Sequence, residues 1–291
     1  MGRLDADARL APVPAEQIAA SLAYINWTVL TGLAVGSFGA VVLGLLRTSA
    51  TKGYLAFVAF TSAAFGLLAW LSDGALPSPA DSDLMALWDL SWETPRSVAL
   101  GLFSVLALVN ALGIAWSARS RVLAAAGTGT GLFALVAAAA SWGGSNLGVV
   151  LLFVQLVVLA AATGGVWAAM ILGHWYLVTP KLPEAPLVLF ARVLTAIVAL
   201  QLVLFVAWVV TGAGPAGIAG LGAMTGTWAL FVWLRLVVGI VFPLIVSWAA
   251  IQTARTRSMQ SATGLLYINV GTIAAGTILA AGLYFGAGLL V

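Results

Sequence analysis

Eight runs of roughly 20 mostly apolar residues divide this chain and leave it almost no charge with which to face water. They cover residues 21–46, 54–72, 96–117, 121–141, 147–173, 187–211, 226–251 and 262–290. At a rise of about 1.5 Å per residue, each is long enough to cross the ~30 Å hydrocarbon core of a bilayer. A backbone in lipid must satisfy its own hydrogen bonds, so these runs are expected to be α-helices. The expected fold is an all-α integral membrane protein, a bundle of eight transmembrane helices divisible into two four-helix halves. Only 7% of the residues are charged, against about 25% in a soluble domain.

The sorting of the charges predicts an orientation. Alternate loops carry Arg47 and Lys52, Arg119 and Arg121, Lys181, and Arg255 and Arg257. A Lys/Arg excess marks the cytoplasmic side. The other side holds Asp5, Asp7, Glu16, Asp73, Asp81, Asp83, Asp89 and Glu93, with Arg3, Arg9 and Arg96. Both termini are therefore expected outside a cell membrane. Residues 1–20 form an extracytoplasmic segment, and 21–291 an eight-helix domain with an acidic outer loop at 73–95. The N-terminal segment lacks an apolar core and does not read as a cleavable signal. Trp27, Trp70, Trp88, Trp92, Trp142, Trp208 and Trp228 fall near the outer boundary, and Trp116, Trp175 and Trp248 near the inner one. That distribution matches an aromatic belt at headgroup depth. The runs are also rich in Gly and Ala at spacings of three and four, as close helix packing in lipid requires.

Ionisable groups at bilayer depth are costly and mark candidate sites. Arg235 stands about nine residues below the outer end of the seventh run, roughly 13 Å deep. No run contains an acid to pair with it, and Gln155 and Gln201 lie at similar depth. Pro243 frees the carbonyl of Gly239, on the same helix face as Arg235. Two readings follow. Arg235, Gln155 and Gln201 hold the polar head of a lipophilic ligand such as a quinone, or they are structural glue together with Gly239. At the inner face stands the only histidine, His174, with Trp175, Tyr176 and, in the sixth run, Arg192. His174, Tyr176 and Arg192 would hold a ligand entering from inside, or His174 would merely anchor its helix in the belt. A haem is disfavoured, because a second histidine is missing.

The outer loop concentrates acids. Asp81, Asp83, Asp89 and Glu93 are candidates for docking a basic soluble carrier or a peripheral subunit. Within it, residues 84–92 are expected to form a short surface helix with Trp88 toward lipid. Thr94 and Pro95 then open the third run as N-cap and first helical residue. The stretch 211–225 reads as a Gly-rich loop, a re-entrant helix or the start of a tilted span.

Absences narrow the function. Coupled carriers usually need a carboxylate at depth, and there is no HExxH, Walker loop or GxSxG. The chain has no cysteine, hence no disulfide, thiolate metal site or iron–sulfur ligation. The pI near 9.6 reflects a small Arg excess without any basic, aromatic-interleaved stripe, so nucleic acid is not an expected partner. In helix count and terminus placement, the outline is similar to the quinone-binding anchor subunits of the polysulfide-reductase type and to haem A synthases. The paired histidines of the latter are lacking. The expected function is a membrane subunit of a redox or energy-conserving complex. It would bind quinone or a similar lipophile between the fifth, sixth and seventh helices and dock other protein subunits on the acidic loop. Its rivals are a transporter or channel for a neutral or anionic solute, an enzyme acting on a lipid headgroup with His174 as base, and a pure assembly protein.

Overall fold

A computed structural model of the protein describes residues 14–77, 87–118, 120–179, 181–219 and 221–291. A short helix, α1 (Pro14–Ala20), precedes α2 (Leu22–Arg47), α3 (Lys52–Asp73), α4 (Glu93–Ala115), α5 (Arg121–Trp142), α6 (Asn146–Val178) and α7 (Ala185–Thr211). The next crossing is α8 (Ala229–Leu236) joined to α9 (Phe242–Arg255) by a π turn at Val237–Val241, and the last is α10 (Met259–Ala287). Counting α8 through α9 as one, the eight expected spans are helices long and apolar enough to cross a membrane.

The helix ends follow from local chemistry. The side chains of Thr51, Ser120 and Ser145 accept hydrogen bonds from Tyr54, Leu123 and Gly148 N–H, capping α3, α5 and α6. Gly212 and Gly288, at φ of 70° and 65°, close α7 and α10 in the left-handed conformation.

Consecutive helices pack as two rings of four. In the first, α2 meets α3, α3 meets α4, α4 meets α5, and α5 returns to α2. In the second, α6 meets α7, α7 meets α9, α9 meets α10, and α10 returns to α6. The rings join chiefly where α2 lies against α6, with α10 also on α2 and α5 on α6. Polar and small residues are concentrated on the buried helix faces beside some large apolar ones, and the exposed faces are lined with large apolar side chains. On α4 the buried face is Arg96, Ala99, Phe103, Ala107 and Asn110, while Val98, Leu102, Val105 and Leu112 are exposed. An apolar outer face over a partly polar, small-residue inner one suits a lipid surround.

The α2–α6 joint is a contact of backbones. A Cβ on Gly36 would fall on the Ala160 carbonyl, and one on Gly164 would strike Ser37 N and lie 2.6 Å from Gly36 Cα. Polar ties run beside it. Thr163 and Thr277 hydroxyls pair at 2.8 Å between α6 and α10, and Tyr54 O–H donates to Ala168 O at 3.1 Å between α3 and α6. A similar contact joins the π turn to α10, where a Cβ on Gly239 would lie 2.6 Å from Gly276 Cα.

Several local expectations are revised. Of the surface helix expected at 84–92, residues 84–86 lie outside the described residues, and the rest holds only a 3₁₀ turn at Leu90–Trp92. Leu87 bridges to Gly143 instead, and Asp89 N–H donates to Ser141 O at 2.8 Å. Trp88 turns inward onto Tyr24 and Trp142, with ring centroids 5.0 and 6.3 Å away. The third span begins at Glu93, so Thr94 and Pro95 lie inside its first turn. Trp27 and Trp142 are fully buried and pack edge-on at 4.8 Å. They belong to an aromatic core with Tyr24 and Phe285 and not to a lipid-facing belt. Residues 212–219 and 221–225 are irregular apart from a 3₁₀ turn at Gly222–Met224, and are anchored where Ala216 N–H donates to Gly288 O.

Adjacent glycines on α6 separate the joint from its surroundings, because an added Cβ at Gly165 meets nothing within 4 Å. Gly164→Val is expected to destabilise the protein by about 3 kcal/mol or more, the cost of severe overpacking. Gly165→Val should change it by less than about 1 kcal/mol. Thermal unfolding in detergent, followed by intrinsic tryptophan fluorescence, reads the difference.

Candidate functional site

Four places hold the chemistry of this molecule. The first surrounds Arg235, which is 2% exposed near the end of α8. Its Nη2–H donates to Gln201 Oε1 at 2.9 Å, its Nη1–H to Gly239 O at 3.2 Å and its Nε–H to Val291 O at 3.4 Å. The Gly239 carbonyl is the one Pro243 cannot engage, and the π turn lies between Arg235 and that proline. Gln201 reaches on to Val158 O of α6 at 3.5 Å. Gln155 borders the same space without bonding Arg235, and its Oε1 has no partner. The cavity enclosed by Gln155, Gln201, Arg235 and Val291 is about 10 Å³, close to the least that holds one water molecule.

The second place is the end of the bundle that carries the Lys and Arg loops, the basic end. His174 and Arg192 are exposed there, whereas Tyr176 is buried and donates its O–H to Pro183 O. Among the described residues no hydrogen bond joins the three to one another. Deeper, Asn269 Nδ2–H donates to Ser247 Oγ at 2.7 Å, and Asn110 keeps an unpaired, buried Oδ1.

The third place, at the opposite or acidic end, is one the charge pattern alone did not reveal. Arg96 Nε–H donates to Asp73 Oδ1 at 2.6 Å, with both side chains buried. Trp27 Nε1–H donates to the same oxygen at 2.8 Å, and Arg96 Nη1–H to Ser141 Oγ at 2.9 Å. The guanidinium stands 4.7 Å over the Trp142 ring, a cation–π contact. One ion pair thus ties α2, α3, α4 and α5 together. The readable signal was an acid closing one span opposite a base opening the next. Nearby, the Ser91 hydroxyl and N–H both donate to Asp89 and hold its carboxyl below its ordinary range. Asp89 and Glu93 are exposed at this end. Asp81 and Asp83 lie outside the described residues.

The fourth place is a furrow between the two rings. Its floor is the close α2–α6 crossing, with Gly36, Gly39 and Gly165 among the lining residues. Its walls are α5, through Thr128 and Leu132, and α7, through Phe190, Val193 and Ile197. It encloses about 260 Å³ and opens to the bundle surface at the exposed Gly39 and Leu132. Among the described residues Thr128 is the one polar side chain on its wall, and its hydroxyl already donates to Ala124 O at 2.8 Å. Toward the basic end a second hollow shares Gly39, Leu43 and Val193 with the furrow and runs past Val42 and Leu46 to Arg47. A third hollow, lined by Ser120 and Arg121, lies across Val42 and Leu46 from the second and shares no lining residue with the furrow itself. Among the described residues no group of three or more His, Asp or Glu comes together to hold a metal ion.

Removing an acceptor from a buried arginine leaves donors unpaired at low dielectric. Gln201→Leu is therefore expected to cost about 1–3 kcal/mol, and Arg235→Leu with Gln201→Leu less than the sum of the two single changes. Asp73→Ala should cost about 3–5 kcal/mol by stranding Arg96. Unfolding midpoints of the purified variants check both. No protein-family model matches this chain, and no curated protein and no solved structure is significantly similar to it.

Proposed function

We propose that this protein is a non-catalytic membrane subunit that holds a long-chain lipophilic molecule in the furrow between its two four-helix rings. The observation that carries the reading is the furrow itself. It is apolar along its main chamber and extends along α2 from Val35 to Arg47, about 18 Å at 1.5 Å per residue. One leaflet of the hydrocarbon core is about 15 Å deep, so the furrow has the length of a single lipid chain. Its width arises from the glycines on the α2–α6 floor.

The expected quinone site between α6, α7 and the α8–α9 crossing fits less well. The water-sized space at Gln155, Gln201 and Arg235 admits no ring, and Arg235 already has three acceptors. The furrow walls in turn present no free donor to a quinone carbonyl. Both features favour a hydrocarbon chain there, and favour the structural role for Arg235. Membership of a redox or energy-conserving complex stays part of the proposal, with Asp89 and Glu93 on the exposed acidic end as the docking surface for a basic partner.

A carrier or channel is the second reading, and one feature favours it. The seventh crossing holds a π turn between Arg235 and Pro243, and π turns occur often at functional sites. Anion uptake into liposomes that is abolished by Arg235→Gln would support that reading.

Gly39 offers a direct probe, since an added Cβ there meets nothing within 4 Å. Gly39→Trp is expected to fill the furrow without displacing a helix. Quantifying lipid and quinone that co-purify with the protein under mild conditions is the test. The wild type should retain about one long-chain molecule per chain that Gly39→Trp loses. Equal retention by the two proteins would overturn the reading.

A further inference from the structure

The chemistry of the furrow changes sharply along its length. The chamber around Gly36, Phe103 and Leu135 has nothing to recognise a polar head. Whatever distinguishes one lipid from another must therefore lie where the furrow meets the water interface. Two cations stand there, from different helices. Arg47 is the last residue of α2 and lines the side facing α7, next to Leu189 and Val193. Arg121 is the first residue of α5 and lines the opposite side, next to Ser120 and Ala124. Val42 and Leu46 lie on both sides, so the two arginines bracket the same stretch of α2. Both are exposed, and neither makes a salt bridge or side-chain hydrogen bond among the described residues.

The surrounding charges do not cancel them. Neither hollow is lined by an acid, and among the described residues the acid at the basic end is Glu184, which is engaged with Arg257 at 3.4 Å. Lys52 donates to Ser117 Oγ at 3.1 Å. The α5 N-terminus at Arg121 adds the partial positive charge of its first turn. Guanidinium groups pair well with phosphate oxygens through two parallel hydrogen bonds.

We infer that the furrow takes an anionic membrane phospholipid, with one acyl chain along α2 and its phosphate between Arg47 and Arg121. The inference rests on the lipophilic-ligand reading and narrows it to one ligand class. With the basic loops on the cytoplasmic side, as their Lys/Arg excess implies, the lipid comes from the inner leaflet. The fit is one of length and of charge. An apolar slot as deep as one leaflet ends at two unneutralised arginines at headgroup height.

The experiment compares phosphatidylglycerol with phosphatidylcholine. The protein is placed in nanodiscs holding equal amounts of the two, extracted mildly, and its bound lipids are identified by native mass spectrometry. Four proteins are needed: wild type, Arg47→Gln with Arg121→Gln, Gly39→Trp, and Arg255→Gln as a basic-end control. The wild type and Arg255→Gln should retain phosphatidylglycerol in preference to phosphatidylcholine. The double arginine variant should keep a bound lipid but lose that preference by about 10–30-fold, the effect of two basic side chains near an anionic headgroup. A wild type without preference, or a double variant that keeps it, would overturn the headgroup assignment and leave the furrow reading intact. Unchanged lipid retention in Gly39→Trp would overturn the furrow reading itself.

Discussion

The two rings of this protein are joined where backbone meets backbone. Gly36 and Ser37 on α2 approach Ala160 and Gly164 on α6 so closely that neither glycine has room for a Cβ. Helices in lipid gain little from burying apolar surface against one another, because lipid is as apolar as the protein. Close van der Waals contact between small residues supplies the attraction instead. The same economy of side chains has a second result. Where α2 and α6 carry glycine beyond the line of contact, at Gly39 and Gly165, nothing fills the space that α5 and α7 flank. The crossing that holds the rings together also makes the furrow between them.

Around this joint, buried polar groups are nearly all paired, as a low-dielectric surround demands. Two arginines show how. Arg96 has a full counter-charge in Asp73, with Trp27, Ser141 and Trp142 completing its shell. Among the described residues Arg235 has no Asp or Glu beside it and is held by oxygens of Gln201, Gly239 and Val291, the Gly239 carbonyl being made available by a proline four residues on. The first solution pins one ring at the acidic end. The second ties α7 to the broken α8–α9 crossing in the other ring. Neither arginine is left with an obvious vacancy for substrate, which directs attention to the apolar furrow and to the unengaged Arg47 and Arg121.

Much of the fold was legible in the sequence because lipid imposes simple rules. A continuous apolar run with a capped or charged end has one solution, and Thr51, Ser120 and Ser145 mark helix starts where the runs begin. The tie between Arg235 and Gly239 was readable too, since Pro243 fixes which carbonyl is free and helical spacing fixes its face. Other features were not. Trp27 and Trp142 have the positions of belt residues, and only the tertiary packing turns them into an aromatic core. Asp73 and Arg96 read as loop charges because their pairing depends on how α3 and α4 lean together. The furrow was the least legible. It is an absence of side chains, and it depends on which of many glycines face the same way.

The proposed function puts ligand selection at the bundle surface and leaves the buried arginines a structural role. Its central claim is that a lipid chain occupies the furrow floored by Gly36, Gly39 and Gly165. Photocrosslinking with a phospholipid carrying a diazirine near the end of its acyl chain, followed by peptide mapping, tests this most directly. Labelling should concentrate on Leu132, Leu135, Val193 and Ile197, the walls of the chamber. Labelling spread evenly over exposed residues such as Leu67, Leu68, Val98 and Leu102, with the furrow walls no more reactive than these, would contradict it.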